Sequence, residues 1–158
     1  GKTEGHIDQS LFARIILDEK NGPPPEVNLF NEKNNGESLL NLIEKGYIKS
    51  AHDVSLGGII TAISKMSIKG NKGIKIKKSK NLMNEIEYFF AEDQGRYIVE
   101  INQKDLKEVS KILDKNSVHH EKLGVIVDKD IIINDKTKVT IDELKAYNNN
   151  WLTDYMSS

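Results

Sequence analysis

The chain has 158 residues, 37% hydrophobic and 30% charged, so one core can bury roughly 70% of the unfolded surface and a single domain is expected. Its 23 basic and 24 acidic residues give a net charge of −1, which argues against nucleic acid or an anionic membrane as a partner. Because the sequence contains no cysteine, disulfides, thiolate metal sites and thiol nucleophiles are excluded.

A first helix is predicted just after Asp8, whose side chain is the expected N-cap. Its apolar positions recur at helical spacing: Leu11, Phe12, Ile15 and Ile16. The segment NGPPPEVN, residues 21–28, ends this pattern, because three successive prolines fix an extended backbone and lack N–H donors. We therefore expect an extended connection to the next element.

A second helix, a strand and a third helix are predicted next. The second helix covers residues 29–45, and Gly46 is its expected stop. Its inward-facing side chains are expected to be Leu39, Leu40, Leu42 and Ile43. The segment YIKSAHDVS, residues 47–55, predicts a strand. The helix after it has apolar positions at Ile59, Ile60, Ile63 and Met66.

The second half of the chain predicts mostly short strands. Ile74 and Ile76 alternate with lysines, residues 96–101 form a second strand, and residues 105–113 form a helix. Three short β runs, LGVIV, DIIIN and KVTI, follow between residues 123 and 141. Because helices and strands interleave without a strict βαβ repeat, we predict an α+β fold, a mixed β-sheet with helices packed on it.

A last helix is predicted from Asp142 onward. Its apolar and aromatic positions recur at helical spacing: Leu144, Tyr147, Trp151 and Tyr155. The stripe of Trp151, Tyr155 and Met156 is expected to dock this helix on the rest of the domain; the alternative is that it faces a neighbouring domain.

No apolar run approaches the roughly 20 residues of a membrane span, and the first residues, GKTEGHIDQ, lack the order of a signal peptide. We therefore expect a soluble cytoplasmic protein with no membrane partner. The chain does not begin with methionine. A segment of a longer polypeptide, a processed product and a fragment with chosen ends would all begin in this way.

The segment AHDVSLGGIITAISKM, residues 51–66, places an acid, a hydroxyl and two glycines where a strand passes into a helix. A helix N-terminus attracts anions, and Gly57 and Gly58 would let a phosphate or another backbone approach closely. Ser55 is placed to offer a hydroxyl to the same anion, and Asp53 to hold Mg²⁺. The alternative is structural: Asp53 or Ser55 caps the helix, and the glycines allow close packing.

Other polar positions favour structural interpretations. His119 and His120 are adjacent and would point to opposite sides of a strand, which disfavours joint metal ligation. His52 is expected to be a hydrogen-bonded core histidine. A polar turn leading into a strand, rather than a substrate contact, is expected of Glu92, Asp93, Gln94 and Arg96.

Four segments resemble known patterns in the same order along the chain. Residues 51–74 resemble HD-x-SDGG-x-x-x-x-LAEM-x-x-x-G-x-x-G-I, and the other segments are GHIDQSLFARII, GPPPEVNLFNEKNNGESLLNLIEKGYI and FFAEDQGRYIVEI. Together they are similar to the last domain of the large subunit in the phosphoribosylformylglycinamidine synthase family, within the aminoimidazole ribonucleotide (AIR) synthetase superfamily. The resemblance covers residues 1–101 by motif and the whole chain by order of elements.

The resemblance implies that residues 1–158 form one C-terminal domain of the AIR synthetase type, with residues 1–7 as the tail of the preceding domain or a linker. The parent enzyme of this family converts formylglycinamide ribonucleotide to formylglycinamidine ribonucleotide with ATP and glutamine-derived ammonia, in purine biosynthesis. Its catalytic histidine lies in the first domain. No catalytic residue is therefore expected on this chain, and the domain alone is expected to be inactive.

The resemblance also implies an auxiliary nucleotide site, shared with the preceding domain, that holds Mg²⁺ and ATP or ADP. It makes Asp53 a Mg²⁺ ligand and Ser55 a phosphate contact, with Gly57 and Gly58 shaping the approach. The sequence departs from the family pattern at Leu56, where aspartate is usual. The implied partners are the preceding domains of the same subunit, a glutaminase subunit and a small accessory subunit.

Two alternatives remain open from the sequence. One is another enzyme of the superfamily, such as selenophosphate synthetase, AIR synthetase or the hydrogenase maturation dehydratase, against which the PPPEVN and EDQGRY segments argue. The other is a non-enzymatic interaction module, for which Asp53→Asn would change no nucleotide-dependent property.

Overall fold

A computed structural model describes residues 1–78 and 83–157 of the chain. Within these residues the helices and strands are, in chain order, α1 (Leu11–Ile16), α2 (Leu29–Glu44), β1 (Ile48–Val54), α3 (Gly58–Gly70), β2 (Gly73–Ile76), α4 (Glu85–Phe90), β3 (Arg96–Ile101), a 3₁₀ turn (Gln103–Asp105), α5 (Leu106–Lys115), β4 (Gly124–Val127), β5 (Asp130–Ile133), β6 (Thr137–Thr140) and α6 (Ile141–Ser157).

The chain divides into two compact units, residues 1–62 with 82–121 and residues 63–81 with 122–158, and the division falls within α3. The first unit contains β1 and β3, which pair antiparallel so that Asp53 lies opposite Tyr97 and Val54 opposite Arg96. Its most deeply buried apolar residues include Ala13, Leu42, Tyr88, Phe89, Ala91 and Val109.

The second unit contains a four-stranded sheet in the order β4-β2-β5-β6. Strand β2 pairs antiparallel with β4 and parallel with β5, and β5 pairs antiparallel with β6. The β5–β6 connection is a tight turn in which Asn134 and Asp135 both have positive φ, the conformation of a type I′ hairpin. Ile76, Ile131 and Ile141 are buried in this unit.

The predicted α+β class, with a mixed β-sheet and helices, is confirmed. All the predicted strands are present, including the three short runs between residues 123 and 141. The strands form two sheets where the sequence pattern led us to expect one. The assignment of residues 1–158 to one domain remains a prediction.

The expected N-cap of α1 is wrong. Ser10 caps this helix, because its Oγ accepts a hydrogen bond from the Ala13 N–H at 3.1 Å. Asp8 precedes the cap by two residues, and Gln9 between them adopts a left-handed backbone conformation. The prolines do separate α1 from α2, as expected.

Two of the four apolar side chains that were expected to face inward from α2 do not. Leu42 is buried and Leu39 is half-buried, but Leu40 is 60% exposed and Ile43 is 46% exposed. Ser38 is buried on this helix instead, and its Oγ accepts a hydrogen bond from the Asn116 side chain at 3.0 Å. The inward face of α2 is therefore partly polar.

The aromatic stripe of α6 is exposed. Tyr147, Trp151, Tyr155 and Met156 are each more than 60% exposed, and only Ile141 is buried on this helix. The expectation that the stripe docks α6 is wrong within the compact unit to which this helix belongs. None of the helices within residues 1–78 and 83–157 is both long enough and apolar enough to traverse a bilayer.

Candidate functional site

The turn between β1 and α3 carries all four residues that the sequence singled out. Asp53 lies at the end of β1 with its side chain 63% exposed, and Ser55 is also exposed. Gly57 and Gly58 follow with φ of 79° and 68°, a left-handed conformation that side chains disfavour. We call residues 53–58 the glycine turn.

The backbone N–H groups of the two glycines are already bonded within the chain. Gly58 N–H donates to the Ser55 carbonyl oxygen at 3.0 Å, which closes the turn. Gly57 N–H donates to Oε1 of Glu92 at 2.7 Å. In this arrangement neither N–H group points to an external anion, so phosphate contact by the two glycines remains a prediction.

The glycines also allow close packing, as the structural interpretation expected. A Cβ atom at Gly58 would lie 2.6 Å from the Phe89 carbonyl oxygen and 2.7 Å from that of Ala91. A Cβ atom at Gly57 would collide with the Thr61 side chain. Both positions therefore require glycine for the fold, independently of any ligand.

His52 is half-buried beside Asp53. Its Nδ1 atom lies 2.6 Å from the Asp53 carbonyl oxygen and 3.3 Å from Asp53 Oδ1. The imidazole thus contacts its own neighbour in the chain, so the expected hydrogen bond is present, although the ring is not fully buried. This contact leaves the Asp53 carboxylate largely in solvent.

The donor set of the glycine turn fits only one kind of Mg²⁺ site. Asp53 supplies one exposed carboxylate and Ser55 one hydroxyl, while Leu56, which follows Ser55, presents a 61% exposed apolar side chain. In the described parts of the chain, no three or more His, Asp or Glu side chains are grouped to hold a metal. The turn therefore fits a Mg²⁺ ion whose other ligands are phosphates and water, and does not fit an all-protein metal site.

A buried polar cluster lies directly behind the glycine turn. Asp93 is 6% exposed and accepts hydrogen bonds from the backbone N–H groups of Glu4, Gly5 and His6 at 3.0, 3.2 and 3.1 Å. A carboxylate bonded in this way satisfies its charge without a metal or substrate. Asp93 therefore fixes residues 4–6 against the turn that leads into β3.

Arg96 holds the other side of this turn. Its guanidinium donates to the carbonyl oxygens of Asp93 and Ala91 at 3.1 and 2.6 Å and to Thr3 Oγ1 at 3.1 Å. Burial lowers the pKa of this guanidinium below its usual range, and the charges of Asp93 and Glu92 oppose that shift. An arginine stays charged in such a site, so the cluster is a paired set of buried charges.

Glu92 joins the cluster to the glycine turn. Its Oε1 atom accepts hydrogen bonds from the N–H groups of Leu11 and Gly57, both at 2.7 Å, and its own N–H donates to the His6 carbonyl oxygen at 3.0 Å. Gln94, in contrast, is exposed. The predicted polar turn is thus present, but the sequence did not indicate that Glu92 reaches the glycine turn.

The segment before α1 also has a role that the sequence analysis missed. The Gln9 side chain donates to the carbonyl oxygens of Lys20 and Gly22 at 2.8 and 3.1 Å, and His6 Nε2 lies 3.1 Å from the Pro23 carbonyl oxygen. These contacts hold the proline-rich connection in place.

The two histidines of residues 119–120 form no metal site with other described residues.

Known proteins resemble this chain in sequence and in structure. A family model described as "AIR synthase related protein, C-terminal domain" matches residues 7–135. The phosphoribosylformylglycinamidine synthase subunit PurL of Pelagibacter ubique (strain HTCC1062) is 66% identical over 158 residues, all of this chain and 22% of that protein. The chain therefore spans about a fifth of the length of the curated relatives it matches.

Two solved structures show the same fold. "T. maritima PurL complexed with ATP" matches with a TM-score of 0.63 and 22% identity, over 71% of this chain and 21% of that one. "Structure of PurLQS from Thermotoga maritima" matches with a TM-score of 0.66 and 20% identity, over 87% of this chain and 24% of that one. At these identities the similarity concerns the fold alone.

Proposed function

This chain belongs to the family of AIR synthase related proteins, whose C-terminal domain it matches, and we propose that it is the C-terminal domain of a phosphoribosylformylglycinamidine synthase large subunit (subunit II). The observation that carries the proposal is the 66% identity to a PurL subunit over the full 158 residues. The parent enzyme would convert formylglycinamide ribonucleotide to formylglycinamidine ribonucleotide, using ATP and glutamine-derived ammonia, in purine biosynthesis.

We assign the catalytic residues of this reaction to other domains of the polypeptide. We expect the domain alone to be inactive. Its polar cluster supports this assignment, because Glu92, Asp93 and Arg96 are buried and bonded to backbone groups of residues 4–6, 11, 57, 91 and 93 and to the Thr3 hydroxyl. Side chains whose polar atoms are buried and hydrogen-bonded to the backbone stabilise a turn and are not free to transfer protons to a substrate.

The glycine turn is proposed as this domain's contribution to an auxiliary nucleotide site shared with the preceding domain. Asp53 would bind Mg²⁺, Ser55 would contact a phosphate of ATP or ADP, and Gly57 and Gly58 would give the turn its shape. Bound Mg²⁺ would neutralise phosphate charge. The exposure of the Asp53 and Ser55 side chains at the start of α3 supports these roles.

The proposed partners are the preceding domains of the same subunit, a glutaminase subunit and a small accessory subunit. The similarity of this fold to part of a structure titled PurLQS supports an assembly of that kind. Neither nucleic acid nor a membrane is proposed as a partner, since the net charge is −1. The proposed location is the cytoplasm.

The proposed reaction is tested with the complete polypeptide that carries this chain, supplied with its accessory subunits. ADP release should require both formylglycinamide ribonucleotide and ammonium, and it should vanish when residues 1–158 are deleted. A folded polypeptide that released no ADP under these conditions would contradict the assignment. Another reaction of the superfamily would then be the next hypothesis.

The proposed Mg²⁺ ligand is tested by calorimetric titration of Mg-ADP into the same polypeptide. Asp53→Asn should weaken binding by about tenfold or more, the scale on which even outer-shell partners of a metal act. Asp154→Asn makes the same chemical change at an exposed position on α6 and should have no effect. Equal affinities in the wild type and Asp53→Asn would remove Asp53 from the site.

A further inference from the structure

Glu92 connects two segments that are far apart in sequence through a single oxygen atom. Its Oε1 accepts from the Leu11 N–H at the start of α1 and from the Gly57 N–H in the glycine turn, both at 2.7 Å. Distances this short are typical of charge-assisted hydrogen bonds, which are about twice as strong as neutral ones. The Glu92 residue is only 9% exposed, so water competes weakly for these donors.

The glycine turn depends on such an anchor. Two successive glycines with positive φ have more conformational freedom in the unfolded chain than any other pair of residues. The Gly58 N–H bond to Ser55 closes the turn on itself, whereas the Gly57 N–H bond ties the turn to another segment. Ser55 is therefore held from two sides, by β1, where Val54 pairs with Arg96, and by the Glu92 carboxylate that anchors Gly57.

We propose that Glu92 is a positioning residue for the nucleotide site: its carboxylate holds the glycine turn so that Ser55 meets phosphate next to the Mg²⁺ on Asp53, while the pairing of β1 with β3 holds Asp53 itself. This inference rests on the proposed function of the turn. It assigns Glu92 no contact with the ligand: Glu92 acts through the Gly57 N–H group, which its Oε1 holds together with the Leu11 N–H group.

The adjacent carboxylate provides a matched comparison. Asp93 is buried to the same degree as Glu92 and also accepts backbone N–H groups, but its bonds go to residues 4–6 and none goes to Gly57. Loss of charge at either position should disturb the segment before α1. Only the loss at Glu92 should disturb the glycine turn.

The first test measures hydrogen exchange by mass spectrometry in the complete polypeptide. Glu92→Gln keeps the size of the side chain and an acceptor oxygen but removes the charge. Exchange in peptides that contain residues 55–58 should accelerate by about tenfold, as expected for one weakened buried hydrogen bond to a charged group. Asp93→Asn should accelerate exchange at residues 4–6 and leave residues 55–58 at the wild-type rate.

The second test measures Mg-ADP affinity in the same variants, because a merely structural role would not separate them. Glu92→Gln should weaken Mg-ADP binding by about tenfold, while Asp93→Asn retains the wild-type affinity. Glu92→Ala should weaken it further. If Glu92→Ala does not fold, the comparison of Glu92→Gln with Asp93→Asn still tests whether Glu92 positions the glycine turn for Mg-ADP binding.

The outcomes separate this inference from the function on which it rests. If the wild type bound no Mg-ADP, or if Asp53→Asn bound it unchanged, the nucleotide site itself would be rejected, and the role of Glu92 with it. If Asp53→Asn weakened binding but Glu92→Gln matched the wild type, the positioning role alone would be overturned. Faster exchange at residues 55–58 with unchanged affinity would also overturn it.

Discussion

The guanidinium of Arg96 lies among acceptors that its own turn holds in place. It donates to Asp93 O, Ala91 O and Thr3 Oγ1, and its Nη2 lies 3.8 Å from Asp93 Oδ2. The planar fork of arginine suits several fixed acceptors at once, which the single ammonium of lysine does not match. At this position the identity of the side chain is therefore set by the surrounding backbone.

Replacement of Arg96 by alanine should lower the free energy of unfolding by about 3 kcal/mol or more, because it removes the positive charge beside the buried Asp93 carboxylate and leaves the carbonyls of Ala91 and Asp93 without this donor. Urea denaturation of the chain measures this loss. Arg14→Ala removes an exposed arginine that donates to Gln9 and should lower the free energy of unfolding by less than about 1 kcal/mol. Similar losses in the two variants would contradict the importance of the buried cluster.

Asp135 should have a strongly lowered pKa. Hydrogen bonds from Lys75 at 2.7 Å and from Lys77 at 2.5 Å lower the pKa of its carboxyl from 3.8 to about 2. Since the folded pKa lies below the unfolded value, the contribution to stability is complete above pH 3.8 and is lost as the pH falls towards 2. A carboxyl NMR titration should find the midpoint near 2.

The variant Lys75→Met provides the control for this titration. It removes the first of the two ammonium donors, so the midpoint of Asp135 should rise towards 3.8. Lys72→Met removes a lysine that pairs with Asp128 instead and should leave the Asp135 midpoint unchanged. A wild-type midpoint near 3.8 would show that Lys75 and Lys77 do not stabilise the charged form of Asp135 in solution.

At the scale of elements, α3 begins and ends with glycines in contrasting surroundings. A Cβ atom at Gly58 would lie 2.6 Å from a backbone carbonyl oxygen, whereas a Cβ atom at Gly70 would meet no atom within 4 Å. Gly58→Ala should therefore lower the free energy of unfolding by about 3 kcal/mol, from the left-handed backbone and the overpacking together. Gly70→Ala should change it by less than about 1 kcal/mol.

Thermal or urea unfolding of these two alanine variants measures the difference. Both changes add one methyl group to the same helix, so helix propensity alone would favour both alike. A Gly58→Ala variant as stable as the wild type would mean that the 89–91 backbone moves aside easily. It would also weaken the argument that glycine is needed there for close packing.

The sequence predicted most elements but not which of their faces are buried. Periodicity located α2 and the short strands, because it depends on local spacing. It could not show that Leu40 and Ile43 stay exposed, because that depends on which elements are available to cover them. The helix α4 was missed although Asn84 and Glu87 form a capping box, since only six residues follow the cap.

The sequence predicts which residues form the candidate site but not which distant residue contacts them. The segment from Asp53 to Gly58 could be recognised because an acid, a hydroxyl and two glycines are adjacent in the chain. The bond from Gly57 to Glu92 joins residues 35 positions apart, and no local pattern reports such a contact. Burial of Glu92 was likewise not predictable, because charged residues are mostly exposed.

At the scale of the whole molecule, large apolar side chains are exposed on several of the described elements. Ile15, Ile16, Leu29 and Phe30 are each at least 65% exposed. The 158-residue chain alone should therefore bind a hydrophobic dye. Phe30→Ser should lower the dye fluorescence, while Lys33→Ser, a polar change on the same helix, should leave it unchanged. Equal fluorescence in all three proteins would contradict this expectation.

The order of synthesis has a consequence for the second sheet. Strand β2 has no partner near it in sequence, because β4 and β5 lie about 50 residues further along the chain. On the ribosome, the β2 strand that contains Ile74 and Ile76 cannot pair with β4 and β5 until residues 124–133 have been synthesised. Between the two events this strand has open edges on both sides, so the nascent chain is most exposed to aggregation during that interval.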